Sequence, residues 1–105
     1  MNTSQVPPAE DADRILLVDD DATNLDVLRY TLDGRGYRLF VTRSGESAVE
    51  VARRVKPSLV LLDVVMPGID GYETCRRLKA RSSTRDVPVL FMTALKSVGL
   101  HRCKK

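Results

Sequence analysis

The sequence predicts an α/β fold, a doubly wound parallel sheet, within a single domain of 105 residues. Short runs of branched apolar residues alternate with segments whose apolar residues recur every three or four positions. The short runs end at acids, glycines and prolines, which is typical of buried strands. Apolar strands that alternate with amphipathic helices indicate a parallel sheet covered on both faces, and right-handed connections make it doubly wound.

Four runs predict strands, of which the third is the most apolar. They span residues 15–18, 37–42, 58–63 and 87–92. Three helices are predicted between them from apolar stripes at helical spacing. The stripes are Leu25, Leu28 and Leu32; Ala48, Val51, Ala52 and Val55; and Tyr72, Cys75 and Leu78. Gly34 stops the first helix, and Pro57 follows the end of the second.

The domain is expected to occupy residues 14–95, between two tails of different composition. Residues 1–13 are polar, with a proline pair and three acids, and predict a disordered N-terminal tail. Residues 96–105 form a basic C-terminal tail. The two cysteines, Cys75 and Cys103, lack metal-site spacing, and we expect both to be free thiols.

The charge distribution argues against nucleic-acid binding. The net charge is +3, but the last ten residues hold four Lys and Arg and no acid. The rest of the chain therefore carries 13 basic against 14 acidic residues, which are scattered as on solvated helix faces. No apolar run is long enough to span a membrane, and the N-terminus does not resemble a secretory signal. We expect a cytoplasmic protein that binds neither membrane nor nucleic acid.

Acidic side chains follow two of the predicted strands. Asp19, Asp20 and Asp21 end the first strand, Asp63 ends the third, and Thr93 ends the fourth. Because the carboxyl ends of parallel strands meet at one edge of the sheet, these groups are expected to converge. Carboxylates in one cleft stay ionised only beside a cation or with raised pKa values, and oxygen ligands of this kind suit Mg²⁺.

Each of these residues also has a structural interpretation. The three consecutive aspartates could cap a helix, since acids favour helix N-termini. Asp63 could cap a turn at the end of its strand, and Thr93 could be an ordinary β residue. The combination of these positions at one sheet edge favours a functional cleft.

Three segments carry a resemblance to a known family, and they read ILLVDDD, LVLLDVVMPGIDGYE and VPVLFMTA. The pattern of an aspartate followed three residues later by Met-Pro-Gly and then Asp-Gly, with acids upstream and Thr-Ala downstream, is specific. Over about residues 14–95 the chain resembles the receiver domain of two-component response regulators, with its flavodoxin-like receiver fold.

The resemblance implies a phosphoprotein of a phosphorelay. Asp63 would be the phosphoacceptor, taking a phosphoryl group from a sensor histidine kinase or a phosphotransfer protein. Asp19 and Asp20 would hold Mg²⁺ together with Asp63 and the backbone carbonyl of Val65. Thr93 would be the switch hydroxyl that bonds a phosphoryl oxygen. Asp21 lies beyond the family's acidic pair, and we place it at the start of the first helix, where an acid favours the helix dipole.

The chain departs from the family after Ala94, where eleven residues remain. Receiver domains continue with a fourth helix, a fifth strand that ends in a phosphate-binding lysine, and a fifth helix. We expect a truncated receiver that lacks these elements, with no counterpart of the lysine. The fourth strand would then expose an apolar edge, which could support self-association.

Three functional hypotheses remain open on the sequence. The first is a working phosphoacceptor, and the second is a receiver remnant without phosphotransfer that binds a kinase or dimerises. The third, a Mg²⁺-dependent phosphohydrolase, is disfavoured because Val65 stands where such enzymes usually carry a second acid, so we expect no enzyme. An apolar Val65 also gives little polar help to an attacking water, and we expect slow loss of phosphate from Asp63.

Overall fold

The computed structural model describes residues 12–92 and the backbone of residues 100–102. These residues form a five-stranded sheet with three helices. The elements are β1 (Arg14–Val18), α1 (Ala22–Leu32), β2 (Arg38–Thr42), α2 (Gly45–Val55), β3 (Leu59–Asp63), α3 (Gly71–Ala80), β4 (Val89–Met92) and β5 (Leu100–Arg102). The predicted fold class, a doubly wound parallel sheet, is confirmed.

The sheet has the strand order β2-β1-β3-β4-β5, and β1 to β4 run parallel. Val18 of β1 is level with Thr42 of β2 on one side and with Leu62 of β3 on the other. Asp63 pairs in register with Met92 of β4. The chain therefore leaves β1 and β3 side by side at one edge of the sheet, which brings the residues that follow them together.

All three helices begin at this carboxyl edge, and each has a capping side chain. The Asp21 side chain accepts from the N–H groups of Thr23 and Asn24 at the start of α1. Ser44 caps α2, and Asp70 caps α3. The placement of Asp21 at the start of the first helix is confirmed.

Two apolar layers cover the sheet. On one face, α2 and α3 pack their buried residues Ala48, Val49, Ala52, Cys75 and Leu78 against alternate residues of the strands. On the other face, Leu25 of α1 is buried, and Leu28 and Leu32 pack half-buried beside it. The strands alternate between these layers, since Leu16 faces α2 and α3 while Leu17 faces α1.

One predicted helix position differs in the structure. Tyr72 was expected on the inner face of α3 with Cys75 and Leu78, but 62% of it is exposed. It lies in the first turn of α3, at the rim of the sheet, where its ring meets Phe91 edge-on with centroids 5.1 Å apart.

The two cysteines were both expected to be free thiols. Cys75 is disulfide-bonded, so this expectation is wrong for Cys75. Cys103 lies outside the described residues.

Three strands begin later than predicted, and the shift at β3 is one residue, from residue 58 to Leu59. β2 starts at Arg38 rather than at residue 37, and β4 starts at Val89 rather than at residue 87. The Val87 N–H donates to the Thr84 carbonyl at 3.2 Å, which keeps Val87 in a turn, and Pro88 has no N–H for a strand ladder.

The expectation that β4 exposes an unpaired edge is wrong. β5 runs antiparallel to β4 and pairs with it over Leu90↔Arg102, Phe91↔His101 and Met92↔Leu100. Three residues suffice because the unpaired N–H and C=O groups of an edge strand accept any extended segment within reach. The antiparallel direction distinguishes β5 from a fifth parallel strand. In the described part of the chain, no helix is long and apolar enough to cross a membrane.

Candidate functional site

Three carboxyl groups meet at the carboxyl ends of β1 and β3. Asp19 and Asp20 directly follow β1, and Asp63 is the last residue of β3. Each offers a carboxyl oxygen, and these oxygens all lie within 4.8 Å of one another. Asp19 is only 1% exposed, whereas Asp20 and Asp63 are half-buried. The predicted convergence of these three acids is therefore present in the structure.

Asp19 is held by hydrogen bonds at both carboxyl oxygens. The Asp21 N–H donates to Oδ1 at 2.9 Å, and the Asn24 Nδ2 donates to Oδ2 at 3.2 Å. The Asp19 N–H itself donates to the Thr42 carbonyl at 3.3 Å. These bonds fix the direction of the carboxyl group. The sequence analysis did not select Asn24. Its place in the first turn of α1, the helix that follows the acids, was the signal that could have revealed it.

Asp63 has an environment that disfavours its charge. Burial raises its pKa from 3.8 to about 6, and the negative charge of Asp19, a hydrogen bond with the Asp19 side chain and the charge of Asp20 act in the same direction. A backbone hydrogen bond from Val65 opposes them by stabilising the carboxylate. Like charges this close are stable together only if one is protonated or a cation lies between them.

The donor set fits a small hard cation. It consists of oxygen atoms alone, from three carboxyl groups on adjacent strand ends. Mg²⁺ binds one to three carboxylates and retains several waters, so a partly open cleft with two half-buried acids meets its requirements. Val65 contributes its N–H to Asp63, and its side chain is 78% exposed beside the cleft.

The loop between β3 and α3 is closely packed against Asp63. Met66 is buried, and Gly68 adopts a positive φ of 79°. The Gly71 N–H donates to the Val64 carbonyl at 2.8 Å, and a Cβ on Gly71 would lie 2.3 Å from the carbonyl oxygen of Asp63. Only glycine therefore fits at the junction of loop and helix, since any side chain would displace the backbone of Asp63.

An arginine that the sequence analysis did not select also reaches this edge. Arg43 directly follows β2, and its Nη2 donates to the backbone carbonyl of Asp20 at 2.8 Å. It was one of many scattered basic residues, so the sequence held no signal for it. The neighbouring Thr42 has a buried hydroxyl with no hydrogen-bond partner among the described residues.

Thr93, the predicted switch hydroxyl, lies outside the described residues. The described part of β4 ends at Met92, which pairs with Asp63. The structure thus brings together Asp19, Asp20 and Asp63, with the Val65 N–H bonded to Asp63. The roles of the Val65 carbonyl and of Thr93 stay predictions.

The parallel sheet with three carboxyl groups at its carboxyl edge places this protein in the class of α/β domains with an acidic cleft. Comparison with known proteins gives the family. The family model described as response regulator receiver domain matches residues 15–102. The chain belongs to this family.

Relatives and solved structures agree with this assignment. The response regulator PleD of Caulobacter vibrioides is 42% identical over 86 residues, which are 82% of this chain and 19% of PleD. MprA of Mycobacterium leprae is 44% identical over 82% of this chain and 37% of its own length. The chain thus spans well under half of these relatives.

Two solved structures share the fold. The N-terminal domain of a response regulator receiver protein from Methanoculleus marisnigri is 42% identical, with a TM-score of 0.75 over 81% of this chain and 69% of that one. The receiver domain of the sensor histidine kinase PA1611 of Pseudomonas aeruginosa is 34% identical, with a TM-score of 0.76 over 84% and 72%. The latter carries a magnesium ion in its active-site cleft.

Proposed function

We propose that this receiver domain works in two-component signalling by accepting a phosphoryl group on Asp63. The observation that supports this most is the carboxyl of Asp63 at a strand end, within 4.8 Å of the Asp19 and Asp20 carboxyl oxygens. A carboxylate oxygen of Asp63 attacks phosphorus and forms an acyl phosphate, while the bond from phosphorus to the donor breaks. The donor is the phosphohistidine of a sensor histidine kinase or phosphotransfer protein, and its imidazole takes up a proton.

We further propose that the cleft holds Mg²⁺ through Asp19, Asp20, Asp63 and the backbone carbonyl of Val65. A bound divalent ion would neutralise charge that develops on the phosphoryl oxygens. The hydrogen bonds from Asp21 and Asn24 fix the direction of the Asp19 carboxyl group. Asp63 must lose its proton before it can attack, and the Val65 N–H stabilises the resulting carboxylate.

Thr93 is proposed as the switch hydroxyl. Support comes from its position in the chain, since it directly follows Met92, the residue that pairs with Asp63. We also propose a cytoplasmic location, where a sensor kinase would present its phosphohistidine.

The test is the intact mass of the chain after incubation with Mg²⁺ and a small acyl-phosphate donor. We expect a gain of one phosphoryl group in the wild type and none in Asp63→Asn. Asp26→Asn is the matched control, because Asp26 is exposed on α1 and loses the same charge outside the cleft. This variant should gain the group as the wild type does.

Two results would contradict the proposal. A folded wild-type chain that gains no mass would favour the alternative, a receiver remnant that binds a kinase without phosphotransfer. A gain that persists in Asp63→Asn would assign the phosphoryl group to another residue. Circular dichroism of each variant establishes that the fold is intact.

A further inference from the structure

The acidic cleft poses an electrostatic problem for its own substrate. A phosphoryl donor is an anion, and the three carboxylates that meet it exceed the charge of a divalent cation by one unit when all are ionised. Donor approach is therefore opposed unless further positive charge lies near the cleft. Within residues 12–92, Arg43 carries such a charge and has a contact with the cleft.

Arg43 stands at the edge of the sheet where the three acids meet. It follows the last residue of β2, and β2 is the neighbour of β1. Its Nη2 donates to the carbonyl of Asp20 at 2.8 Å, and Asp20 is also one of the three acids. The guanidinium is thus anchored to the backbone of the cleft.

The anchoring bond leaves most of the guanidinium available. A guanidinium carries five N–H donors, and one hydrogen bond is recorded for Arg43 within residues 12–92. The ion pairs of the described residues all involve Glu50 or Glu73, so none of them engages Arg43. Its side chain is exposed, so an anion from solvent can reach it.

The other described cations with recorded polar contacts are engaged away from the acids. Arg76 and Arg77 pair with Glu73 on the outside of α3. Lys79 donates to the carbonyls of Arg85 and Val87. Arg14 begins β1, at the opposite edge of the sheet, and donates there to the carbonyls of Val55 and Lys56.

We infer that Arg43 binds the phosphoryl oxygens of the incoming donor and so determines how well the cleft captures it. This inference rests on the proposed phosphoacceptor function. An arginine suits the task because its planar fork can donate two parallel hydrogen bonds to one phosphoryl group. The role is one of donor binding, because the Asp63 carboxylate remains the group that attacks.

The experiment measures the phosphorylation rate of the full chain against the concentration of a small acyl phosphate, with saturating Mg²⁺ and low salt. The variants are Arg43→Gln and Arg43→Lys. Arg35→Gln is the matched control, since Arg35 is also exposed and also donates to a backbone carbonyl, that of Thr31 at the end of α1. It removes the same charge and the same kind of contact away from the cleft.

We expect Arg43→Gln to raise the half-saturating donor concentration about tenfold, the usual size of a lost charged hydrogen bond, with little change in the maximal rate. Arg43→Lys should recover part of the loss, and Arg35→Gln should match the wild type. The wild-type rate at low donor concentration should also fall more steeply with added salt than that of Arg43→Gln.

Three outcomes would overturn the inference. A lower maximal rate at an unchanged half-saturating concentration would mean that Arg43 only positions Asp20. If Arg43→Gln and Arg35→Gln raise the half-saturating donor concentration equally, the effect comes from the net charge of the chain and not from donor binding by Arg43. An unchanged Arg43→Gln beside an active wild type would refute donor binding alone, whereas an inactive wild type would refute the proposed function as well.

Discussion

The cleft and the outer surface of α3 shift the pKa values of their carboxyl groups in opposite directions. In the cleft, burial and the neighbouring Asp19 raise the pKa of Asp63 to about 6. On α3, hydrogen bonds from Arg76 and then Arg77 lower the pKa of Glu73 to about 2. The charges on α3 are paired with opposite charges, which favours the folded chain. The cleft brings three carboxyl groups together, and their mutual repulsion disfavours the folded chain.

This contrast separates residues kept for stability from residues kept for chemistry. A protein that needed only stability would not bury Asp19 beside a second carboxyl group. Strain of this kind is typical of functional sites and is offset by well-packed elements elsewhere. Paired substitutions in the two regions test that separation.

The largest effect on stability is expected at a hydroxyl below α3. Thr84 is fully buried, and its Oγ1 donates to the Leu78 carbonyl at 2.7 Å. Thr84→Val should lower the free energy of unfolding by about 1–2 kcal/mol, because it leaves that carbonyl with only the longer bond from the Arg81 N–H, at 3.4 Å. Thr42→Val, beside the cleft, should be neutral or stabilising, because the Thr42 hydroxyl has no hydrogen-bond partner in the part of the chain that the structure describes. Urea unfolding of both variants gives the comparison, and equal losses would contradict it.

The next effect concerns the pH dependence of stability at Asp63. Its pKa is about 6 in the folded chain and near 3.8 when unfolded, so the folded state holds the proton more tightly. Stability from this group is complete below about pH 4 and is lost as the pH rises through 6. Without Mg²⁺, Asp63→Asn should therefore be more stable than the wild type above pH 6, by on the order of 1 kcal/mol after allowance for solvent screening of the half-buried group.

Thermal unfolding of the two proteins from pH 4 to 8 measures this difference. It should vanish at the acid end and shrink at neutral pH when Mg²⁺ is added, since the cation relieves the repulsion in the wild type. A difference that stays constant with pH would show that the carboxyl of Asp63 is not destabilised.

A change in the rate of phosphate loss is expected at Val65. This side chain is exposed beside the cleft and offers no hydrogen bond to a water that attacks the acyl phosphate. Val65→Asn should speed the loss of the phosphoryl group several-fold without changing stability. The decay of the phosphorylated mass with time is the measurement, with Val65→Ala as the apolar control, and identical decay of both variants would refute the role.

The smallest effect is expected on α3 itself. Glu73→Gln removes an exposed carboxylate whose pairs with Arg76 and Arg77 are solvent-screened. Its pKa is lowered from 4.5 to about 2, so its contribution is present above pH 4.5 and is lost as the pH falls through 2. At pH 7 the melting temperature should drop slightly, and the variant should converge with the wild type in acid. An effect at pH 7 larger than that of Asp63→Asn would reverse the comparison.

The fold and the acidic site followed from patterns that a single chain displays. Burial of a strand on both faces requires a run of apolar residues, and this requirement made β1 and β3 recognisable. Asp63 ends one such run and Asp19 follows another, and parallel strands end at a common edge. The same reasoning failed at Tyr72, because helical spacing places a residue on a face without showing where the covering sheet stops.

The sequence by itself determined the order of elements, the cap at Asp21 and the convergence of three carboxyl groups, because these depend on local periodicity and chain direction. Only the tertiary structure decided that Asn24 directs Asp19, that Arg43 reaches the Asp20 carbonyl and that β5 closes the edge of β4. Such contacts join segments distant in sequence or depend on side-chain rotamers. They form wherever packing brings a donor and an acceptor within hydrogen-bond distance, and no periodicity in the chain records them.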